Sequence, residues 1–178
     1  MRKLIVSEFV TLDGVMEAPE KWVFQFHDEQ SAGFKTAEIN EVDALLLGRR
    51  TYEIFAASWP AMTGELADRM NGIRKYVASA KPGQLDWHNS EALTGDAGGA
   101  VSALKQRPGG NILLAGSGSL ARTLAQRGLV DEYRLFICPV VLGTGERLFN
   151  LPSAARSLTL TETRTFDSGA LLVRYATA

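Results

Sequence analysis

Cysteine, histidine and long apolar runs are scarce in this chain of 178 residues. Its single cysteine excludes an internal disulfide framework, and its two histidines lie far from that cysteine and from each other. These residues make a poor metal-ligand set, so we expect no structural metal. No apolar run approaches the ~18 residues of a membrane span, and charges follow the first apolar run too soon for a signal peptide. We therefore expect a soluble, cytoplasmic protein.

An excess of charge of either sign is also absent. The 19 lysine and arginine residues nearly balance 20 aspartate and glutamate residues, which gives a formal net charge of -1. Without a basic tract, the composition gives no general footprint for nucleic acid or an anionic membrane. Any affinity for phosphate must be local, so we expect a small-molecule ligand. With 46% apolar residues, the length suits one domain over residues 1–178.

Segments typical of buried strands alternate along the chain with segments typical of helices. Five apolar runs predict strands, at Lys3–Phe9, Asp43–Leu47, Arg74–Ser79, Asn111–Ala115 and Glu132–Cys138. Four segments predict helices, at about residues 29–40, 51–57, 99–107 and 119–127. This alternation predicts a three-layer α/β fold with a mostly parallel central sheet. Beyond Pro139, alternating residues predict a C-terminal antiparallel hairpin, formed by Leu158–Phe166 and Ala170–Tyr175.

The segment from Gly48 to Thr51 has the features of an anion-binding helix start. An apolar run ends at Gly48, and Arg49 and Arg50 follow where a helix should begin. A helix N-terminus has unpaired N–H groups and a partial positive charge, and arginine adds charge-assisted hydrogen bonds. The pattern predicts a site for the phosphate of a nucleotide. A solvated helix start, with Arg50 facing water, is the alternative.

A second candidate phosphate site begins at Gly116. The segment 116–121 follows a predicted strand, contains two glycines that permit close approach of the backbone, and leads into a helix with Ser119 as candidate N-cap. It fits the pattern G-x-G-x-x-A, which is a weak signal alone. Its late place in the chain, and the absence of an acid ending the next strand, argue against a Rossmann domain. A tight turn with small residues for packing is the alternative.

Asp13 and Gly14 lie just beyond the first predicted strand. An Asp-Gly pair is a common turn former, because the aspartate caps nearby backbone groups and glycine adopts positive φ. A carboxylate in a loop at the end of a central strand also lies where substrates enter an open α/β sheet. Both interpretations remain open.

Taken in order, these motifs resemble the dihydrofolate reductase-like superfamily. The chain is most similar to the C-terminal reductase domain of the bifunctional riboflavin-biosynthesis deaminase/reductase, as a stand-alone form of it. The resemblance spans nearly the whole chain, and the segments that carry it are Ser7 with Leu12–Gly14, Leu46–Glu53, the strand ending at Ser79, Leu114–Ser119, and Asp131–Phe149.

The resemblance implies an NADPH-dependent reductase. The residues that it implies for cofactor binding are Gly48, Arg49, Arg50 and Thr51 at the 2′-phosphate, Ser79 at the adenine ribose, and Gly116, Ser117, Gly118, Ser119 and Leu120 at the pyrophosphate. An arginine-lined helix start favours NADPH over NADH, because its positive charge is left unneutralised without the 2′-phosphate.

The same resemblance implies residues for the substrate. Asp13 is the predicted catalytic residue, in a proton-donating or substrate-orienting role, because it matches the Asp-Gly turn of the riboflavin-pathway reductases. In dihydrofolate reductases the carboxylate lies on the first helix, where this chain has Asp28 or Glu29 without a clear match of the flanking residues. The further candidates for substrate binding are Glu17, Trp22, Gly143 and Gly145. A solvated acid, a core aromatic residue and turn glycines are the alternatives.

The leading prediction is reduction of a small heterocyclic or imine-like substrate, in the style of 5-amino-6-(5-phosphoribosylamino)uracil. The alternatives are a dihydrofolate reductase or another small-molecule reductase, and a non-catalytic NADP-binding module. Related reductase domains pair as homodimers, and the apolar residues at about 135–142 could supply such an interface. The loops expected to enclose the substrate, at residues 17–22, 59–64 and 83–98, carry no diagnostic motif.

Overall fold

A computed structural model of the protein describes residues 1–150 and 156–177. Its strands are β1 (Leu4–Thr11), β2 (Ala44–Gly48), β3 (Arg74–Ala78), β4 (Ser90–Leu93), β5 (Ile112–Ala115), β6 (Glu132–Cys138), β7 (Leu158–Thr165) and β8 (Leu171–Thr177). Its α-helices are α1 (Glu29–Asn40), α2 (Arg49–Ser58), α3 (Glu65–Gly72), α4 (Ala97–Gln106) and α5 (Gly118–Gln126).

The strands form one sheet in the order β4-β3-β2-β5-β1-β6-β8-β7. The pairs from β4 to β6 are parallel, and β8 pairs antiparallel with both β6 and β7. This order confirms the predicted α/β fold with a mostly parallel sheet and a C-terminal hairpin. Because parallel strands end at the same edge, the loops that follow β1, β2, β3 and β5 gather there.

Helices cover both faces of the sheet, which gives the predicted three layers. On one face, α4 and α5 pack against strand residues that include Val6 and Leu46. On the other face, α1, α2 and α3 pack against strand residues that include Ile5 and Leu45. Successive strand side chains point to opposite faces, so a strand covered on both sides is apolar at consecutive positions.

The sequence pattern did not predict two of the described elements, the strand β4 and the helix α3. The strand β4 lies inside the predicted loop 83–98, pairs with β3 at an edge of the described sheet, and fully buries only Leu93. The helix α3 buries only Ala67 and Met70. Elements that bury so few side chains lack the apolar periodicity on which recognition depends.

Three helices begin earlier than predicted. The helix α2 starts at Arg49 instead of residue 51, α4 at Ala97 instead of residue 99, and α5 at Gly118 instead of residue 119. The carboxylate of Asp96 caps α4 by accepting a backbone N–H, which explains its earlier start. Both arginines of the first motif, Arg49 and Arg50, therefore belong to the first turn of α2.

Residues 1–150 and 156–177 lack two features, a membrane-spanning helix and a cluster of metal ligands. None of the helices there has the length and apolar character that a membrane span requires. Likewise, that part of the chain has no group of three or more His, Cys, Asp or Glu residues placed to hold a metal ion.

Candidate functional site

The N-termini of α2 and α5 lie side by side at the carboxyl edge of the sheet. The helix α2 follows β2 directly, and α5 follows β5 through the turn at Gly116 and Ser117. Because β2 and β5 are hydrogen-bonded neighbours, the two predicted phosphate motifs meet. The Ser117 hydroxyl accepts the Gly48 N–H at 2.7 Å and donates to the Thr51 hydroxyl at 2.7 Å. One serine therefore joins the two helix starts.

Glycine is required where these two turns touch. A Cβ atom at Gly48 would lie 2.9 Å from the Ser117 hydroxyl oxygen, and one at Gly116 would lie 2.9 Å from Cγ2 of Thr51. Gly116 also has a φ of 66°, which glycine adopts without strain. Backbone that no side chain covers therefore lies at the predicted pyrophosphate-binding site.

Ser117, and not Ser119, occupies the N-cap position of α5. Ser117 has a left-handed backbone, and its side chain makes no capping hydrogen bond with α5 because it bonds to α2. Ser119 lies in the first turn with an exposed side chain. The predicted N-cap was wrong because the preference of serine for helix starts is local, whereas the contact of Ser117 with Gly48 spans 69 positions.

Arg49 and Arg50 have different surroundings. The Arg49 guanidinium donates to the carboxylate of Glu53 at 2.7 Å and to the carbonyl of Lys81 at 2.8 Å. The Arg50 side chain is exposed, and its guanidinium makes no hydrogen bond or ion pair with residues 1–150 or 156–177. Arg49 is thus fixed against the loop after β3, whereas Arg50 can reach an anion without breaking a contact with the described residues.

The loop after β3 brings Ser79 to the same region. The Ser79 N–H donates to the carbonyl of Leu93 at 3.2 Å, and its hydroxyl accepts the Lys81 N–H at 3.1 Å. The hydrogen bond from Arg49 to Lys81 then connects this loop to α2. The residues predicted for the ribose and for the 2′-phosphate therefore lie in adjoining segments, as one nucleotide would require.

Asp13 lies in the turn after β1 and accepts three hydrogen bonds. The Thr11 hydroxyl donates at 2.6 Å, and the backbone N–H groups of Gly143 and Leu142 donate at 2.9 and 3.3 Å. The Thr11 hydroxyl, followed by these N–H groups, lowers the pKa of Asp13 to about 2. Gly14 has a φ of 82°, in agreement with the predicted turn. Asp13 is therefore ionised at neutral pH, which suits orientation better than proton donation.

A polar groove of about 490 Å³ lies beside this turn. The segments after β1 and after β6 pair there, since the Met16 N–H donates to the Glu146 carbonyl at 2.8 Å. The Glu17 carboxylate accepts the Glu146 N–H at 3.1 Å. The residues that line the groove are Glu17, Arg122, Gly145, Glu146, Arg147, Phe149 and Asn150. Two predicted substrate residues, Glu17 and Gly145, therefore line one groove.

Charges of both signs surround the groove. Arg122 of α5 pairs with Glu146 at 3.1 Å. Arg147 lies 3.5 Å from the carboxylate of Asp13, and its Nε donates to the Asp13 carbonyl at 2.9 Å. Each arginine is thus balanced by an acid, and Glu17 adds a further negative charge. Such a groove suits a polar ligand with both donors and acceptors.

Glycines also bring the substrate-side turn against α5. A Cβ atom at Gly145 would lie 2.7 Å from Cγ1 of Val15, and one at Gly118 would lie 2.8 Å from the sulfur of Met16. Gly145 has a φ of 117°, which other residues rarely adopt. The turn that contains Asp13 therefore packs on the helix start that carries the predicted pyrophosphate contacts.

The remaining candidates do not line the groove. Trp22 is 5% exposed, and its indole N–H donates to the Glu17 carbonyl at 3.0 Å, so it fixes the backbone and presents little ring surface. Asp28 is the N-cap of α1, and the N–H of Ser31 is the main cause that lowers its pKa. Glu29 is exposed in the first turn of that helix.

A larger cavity, of about 720 Å³, is lined by residues of α2 and of the segment 84–88. Its lining includes Tyr52 and Trp87, and it contains none of the individual residues that the sequence predicts for cofactor or substrate binding, although part of the lining comes from the loops at 59–64 and 83–98 that were expected to enclose the substrate. Size alone therefore does not mark the site. Converging helix starts and charged side chains are the stronger indication.

Glu8 is a buried acid that the sequence pattern did not single out. It lies in β1 with 5% exposure, and its Oε1 atom has no hydrogen-bond partner among the described residues. Burial raises its pKa to about 8. The signal that could have identified it is a charged residue inside an otherwise apolar strand.

We expect Ser117→Ala to lower the free energy of unfolding by about 1–2 kcal/mol. The substitution removes the bridge between Gly48 and Thr51 and leaves the Gly48 N–H without its acceptor. Urea denaturation measures the change. Ser119→Ala, at an exposed position of the same turn, is the matched control and should change stability by no more than about 0.5 kcal/mol. Equal stability of both variants would show that the hydroxyl does not join the helix starts.

Sequence comparisons match nearly the whole chain. The model of the family described as RibD C-terminal domain matches residues 2–172. The relative named Uncharacterized protein YyaP, from Bacillus subtilis (strain 168), is 34% identical over 179 residues, which cover 98% of this chain and 94% of the relative.

Solved structures with low sequence identity share the fold. The Thermotoga maritima diaminohydroxyphosphoribosylaminopyrimidine deaminase/5-amino-6-(5-phosphoribosylamino)uracil reductase has a TM-score of 0.72 and 16% identity, over 99% of this chain and 57% of that chain. Dihydrofolate reductase from Enterococcus faecalis, in a complex with NADP(H), has a TM-score of 0.65 and 13% identity, over 98% of this chain and 96% of that chain. The predicted dihydrofolate reductase-like fold is confirmed.

Proposed function

Because this chain belongs to the RibD C-terminal domain family, we propose that it is an NADPH-dependent reductase of a small heterocyclic or imine-like substrate. Membership of this family supports the assignment of the chain as an oxidoreductase. The proposed reaction resembles that of the 5-amino-6-(5-phosphoribosylamino)uracil reductase named for the Thermotoga maritima neighbour. The observation that carries the proposal is the pair of helix N-termini that Ser117 joins.

The joined helix starts suit a dinucleotide phosphate. The first N–H groups of each helix have no partner within that helix, and the partial positive charge of each helix start favours an anion. Glycine at positions 48, 116 and 118 keeps the backbone uncovered at close contacts. When bound, the cofactor supplies the hydride, while the protein binds and orients it. In this proposal, residues 116–120 hold the pyrophosphate.

The arginines favour NADPH over NADH. Arg49 is already held by Glu53 and the Lys81 carbonyl, so it loses little conformational freedom when an anion binds. Arg50 adds a second guanidinium in the same turn of α2. A 2′-phosphate would neutralise the charge of Arg50, whereas NADH would leave that guanidinium without a partner among the described residues and Arg49 with Glu53 alone.

The groove next to α5 is the proposed substrate site. Its charged groups of both signs suit a polar heterocycle, and its segments pack on the helix start that would hold the cofactor. Asp13 fixes the N–H groups of Leu142 and Gly143 at one side, and Glu17 fixes that of Glu146. Asp13 would therefore orient the substrate-side loop, since a hydride transfer depends on close positioning of the acceptor.

Two alternative functions differ from the proposed one in properties that can be tested. A dihydrofolate reductase would need a carboxylate on α1, but Asp28 uses its oxygens to accept the N–H groups of Ser31 and Ser168. A non-catalytic NADP-binding module would use the same helix starts and would bind NADPH without turnover. Oxidation of NADPH in the presence of a candidate substrate separates the enzyme from the module.

We also propose a cytoplasmic homodimer. Val141 and Leu142, which follow β6, are 64% and 40% exposed, so the predicted apolar surface is partly accessible. Sedimentation of the purified protein would measure its mass in solution. A monomer at all concentrations would contradict the proposed dimer.

Thermal unfolding with NADPH and with NADH at matched concentrations tests the cofactor assignment. A ligand at about 100 times its dissociation constant raises the free energy of unfolding by about 2.7 kcal/mol. This increase raises the midpoint temperature of unfolding of a domain of this size by several degrees. We expect a clear shift with NADPH and a small one with NADH. No shift with either, once cofactor retained during purification is excluded, would contradict the proposed function.

A further inference from the structure

Glu8 lies next to the turn that begins α5. In the pairing of β1 with β5, Ser7 is opposite Ala115, so Glu8 comes level with the residue that follows β5, Gly116. The Glu8 side chain alternates with those of Val6 and Val10, which belong to the buried cluster that α4 and α5 cover, so it lies on the face of the sheet that α5 covers. The carboxyl group therefore lies directly behind the proposed pyrophosphate contacts.

The surroundings of this carboxyl group are mostly apolar. Its register partner on β6 is Leu135, and Leu120 of α5 belongs to the same buried cluster as Leu135. The charged groups that act on it are Lys35 and Glu38, both on α1. With Oε1 unpartnered among the described residues, the ionised form has little to stabilise it.

Protonation of Glu8 is therefore favoured at neutral pH. Burial raises the pKa of Glu8 to about 8, Glu38 acts in the same direction, and Lys35 and the Gly116 N–H oppose them. The group is neutral below this pH and becomes negative above it. A negative charge would then appear behind the turn at Gly116.

On the basis of the proposed function, we propose that Glu8 belongs to the cofactor site and that NADPH binds tightly only while the Glu8 carboxyl group is protonated. A pyrophosphate at the turn would bring negative charge close to this group, and apolar surroundings screen such repulsion poorly. Protonation removes the repulsion, and by linkage bound NADPH favours the protonated form. Glu8 therefore sets the upper pH limit for cofactor binding.

The dissociation constant of NADPH, measured by isothermal titration calorimetry from pH 7 to pH 9, tests this inference. For the wild-type protein we expect it to rise by about tenfold over this range. For Glu8→Gln, which has a similar shape and no charge, it should change by less than about twofold. Glu8→Leu provides a second neutral variant in case the amide disturbs the strand.

Other groups that titrate between pH 7 and pH 9 do not account for the expected difference between the wild-type protein and Glu8→Gln. The 2′-phosphate is mainly doubly ionised throughout this range, since the second pKa of a phosphate monoester is about 6, and its remaining ionisation above pH 7 would strengthen binding instead of weakening it. Burial lowers the pKa of Lys75 to about 8, but Lys75 lies at the amino end of β3 and is retained in both variants. Glu65→Gln, an exposed change on α3, should keep the wild-type pH dependence.

Proton uptake distinguishes a site residue from a merely structural one. Calorimetry at pH 8.5 in two buffers of different ionisation enthalpy should show that wild-type protein takes up a fraction of a proton when NADPH binds. Glu8→Gln should take up none. Uptake that persists in Glu8→Gln, or a wild-type affinity that is constant from pH 7 to pH 9, would overturn the inference while leaving the proposed function intact. Failure of the wild-type protein to bind NADPH at pH 7 would overturn both.

Discussion

Replacing both Arg49 and Arg50 with alanine should weaken NADPH binding by about a hundredfold and NADH binding by less than about threefold. Two charge-assisted hydrogen bonds to a phosphate contribute about 3 kcal/mol together, and NADH has no 2′-phosphate to receive them. Because Arg49 is already fixed by Glu53 and Lys81, its substitution also releases the loop after β3. Calorimetric titration with each cofactor measures the two losses.

A matched control removes the same charge elsewhere. Arg74 and Arg107 have side chains that are 51% and 50% exposed, and both pair with Glu91. Their double alanine variant should leave the preference for NADPH unchanged. Equal losses of NADPH and NADH in the Arg49 and Arg50 variant would remove the 2′-phosphate assignment. A higher salt concentration should reduce the preference of the wild-type protein for NADPH over NADH, because salt screens exposed charges.

Asp13→Asn should lower kcat/KM by about thirtyfold, with NADPH affinity nearly unchanged. The carboxylate accepts the N–H groups of Leu142 and Gly143, whereas an asparagine amide has only one acceptor oxygen and would turn its own N–H groups toward one of these donors. The substrate-side loop would lose its fixed position, while the helix starts of α2 and α5 would remain. Steady-state kinetics with a turned-over substrate, together with cofactor titration, measure both effects.

The pH profile tests the role of Asp13 further. The Thr11 hydroxyl and two backbone N–H groups lower the pKa of Asp13 to about 2, so the carboxylate is present at any pH above about 4. Its contribution to the fold and to activity is therefore lost only in strong acid, as pH falls through that pKa. Asp68→Asn, an exposed change on α3, is the control. A fully active Asp13→Asn enzyme would leave Asp13 as a turn former. A wild-type titration near neutral pH that this substitution abolishes would indicate proton donation instead.

Local features of the sequence determined much of the architecture. The apolar runs at β1, β2, β3, β5 and β6 predicted buried parallel strands, since a strand covered on both faces must be apolar at consecutive positions. The Asp-Gly pair predicted the turn at Gly14, because positive φ is a property of the residue itself. The arginines after Gly48 predicted an anion site, since the unpaired N–H groups of a helix start lie within one turn. All of these signals act over a few residues.

The tertiary structure alone decided how those local pieces meet. Ser117 reaches Gly48 across 69 positions, and Asp13 holds the N–H of Gly143 across 130. Such contacts depend on strand order, which inserts β5 between β2 and β1, and no local pattern specifies that order. The burial of Glu8 has the same origin, because a charged residue in an apolar strand reveals its environment only once β5, β6 and α5 close around it. The residues at each turn therefore determined which functional groups are available there. Long-range packing decided which of these groups share a site and which are buried.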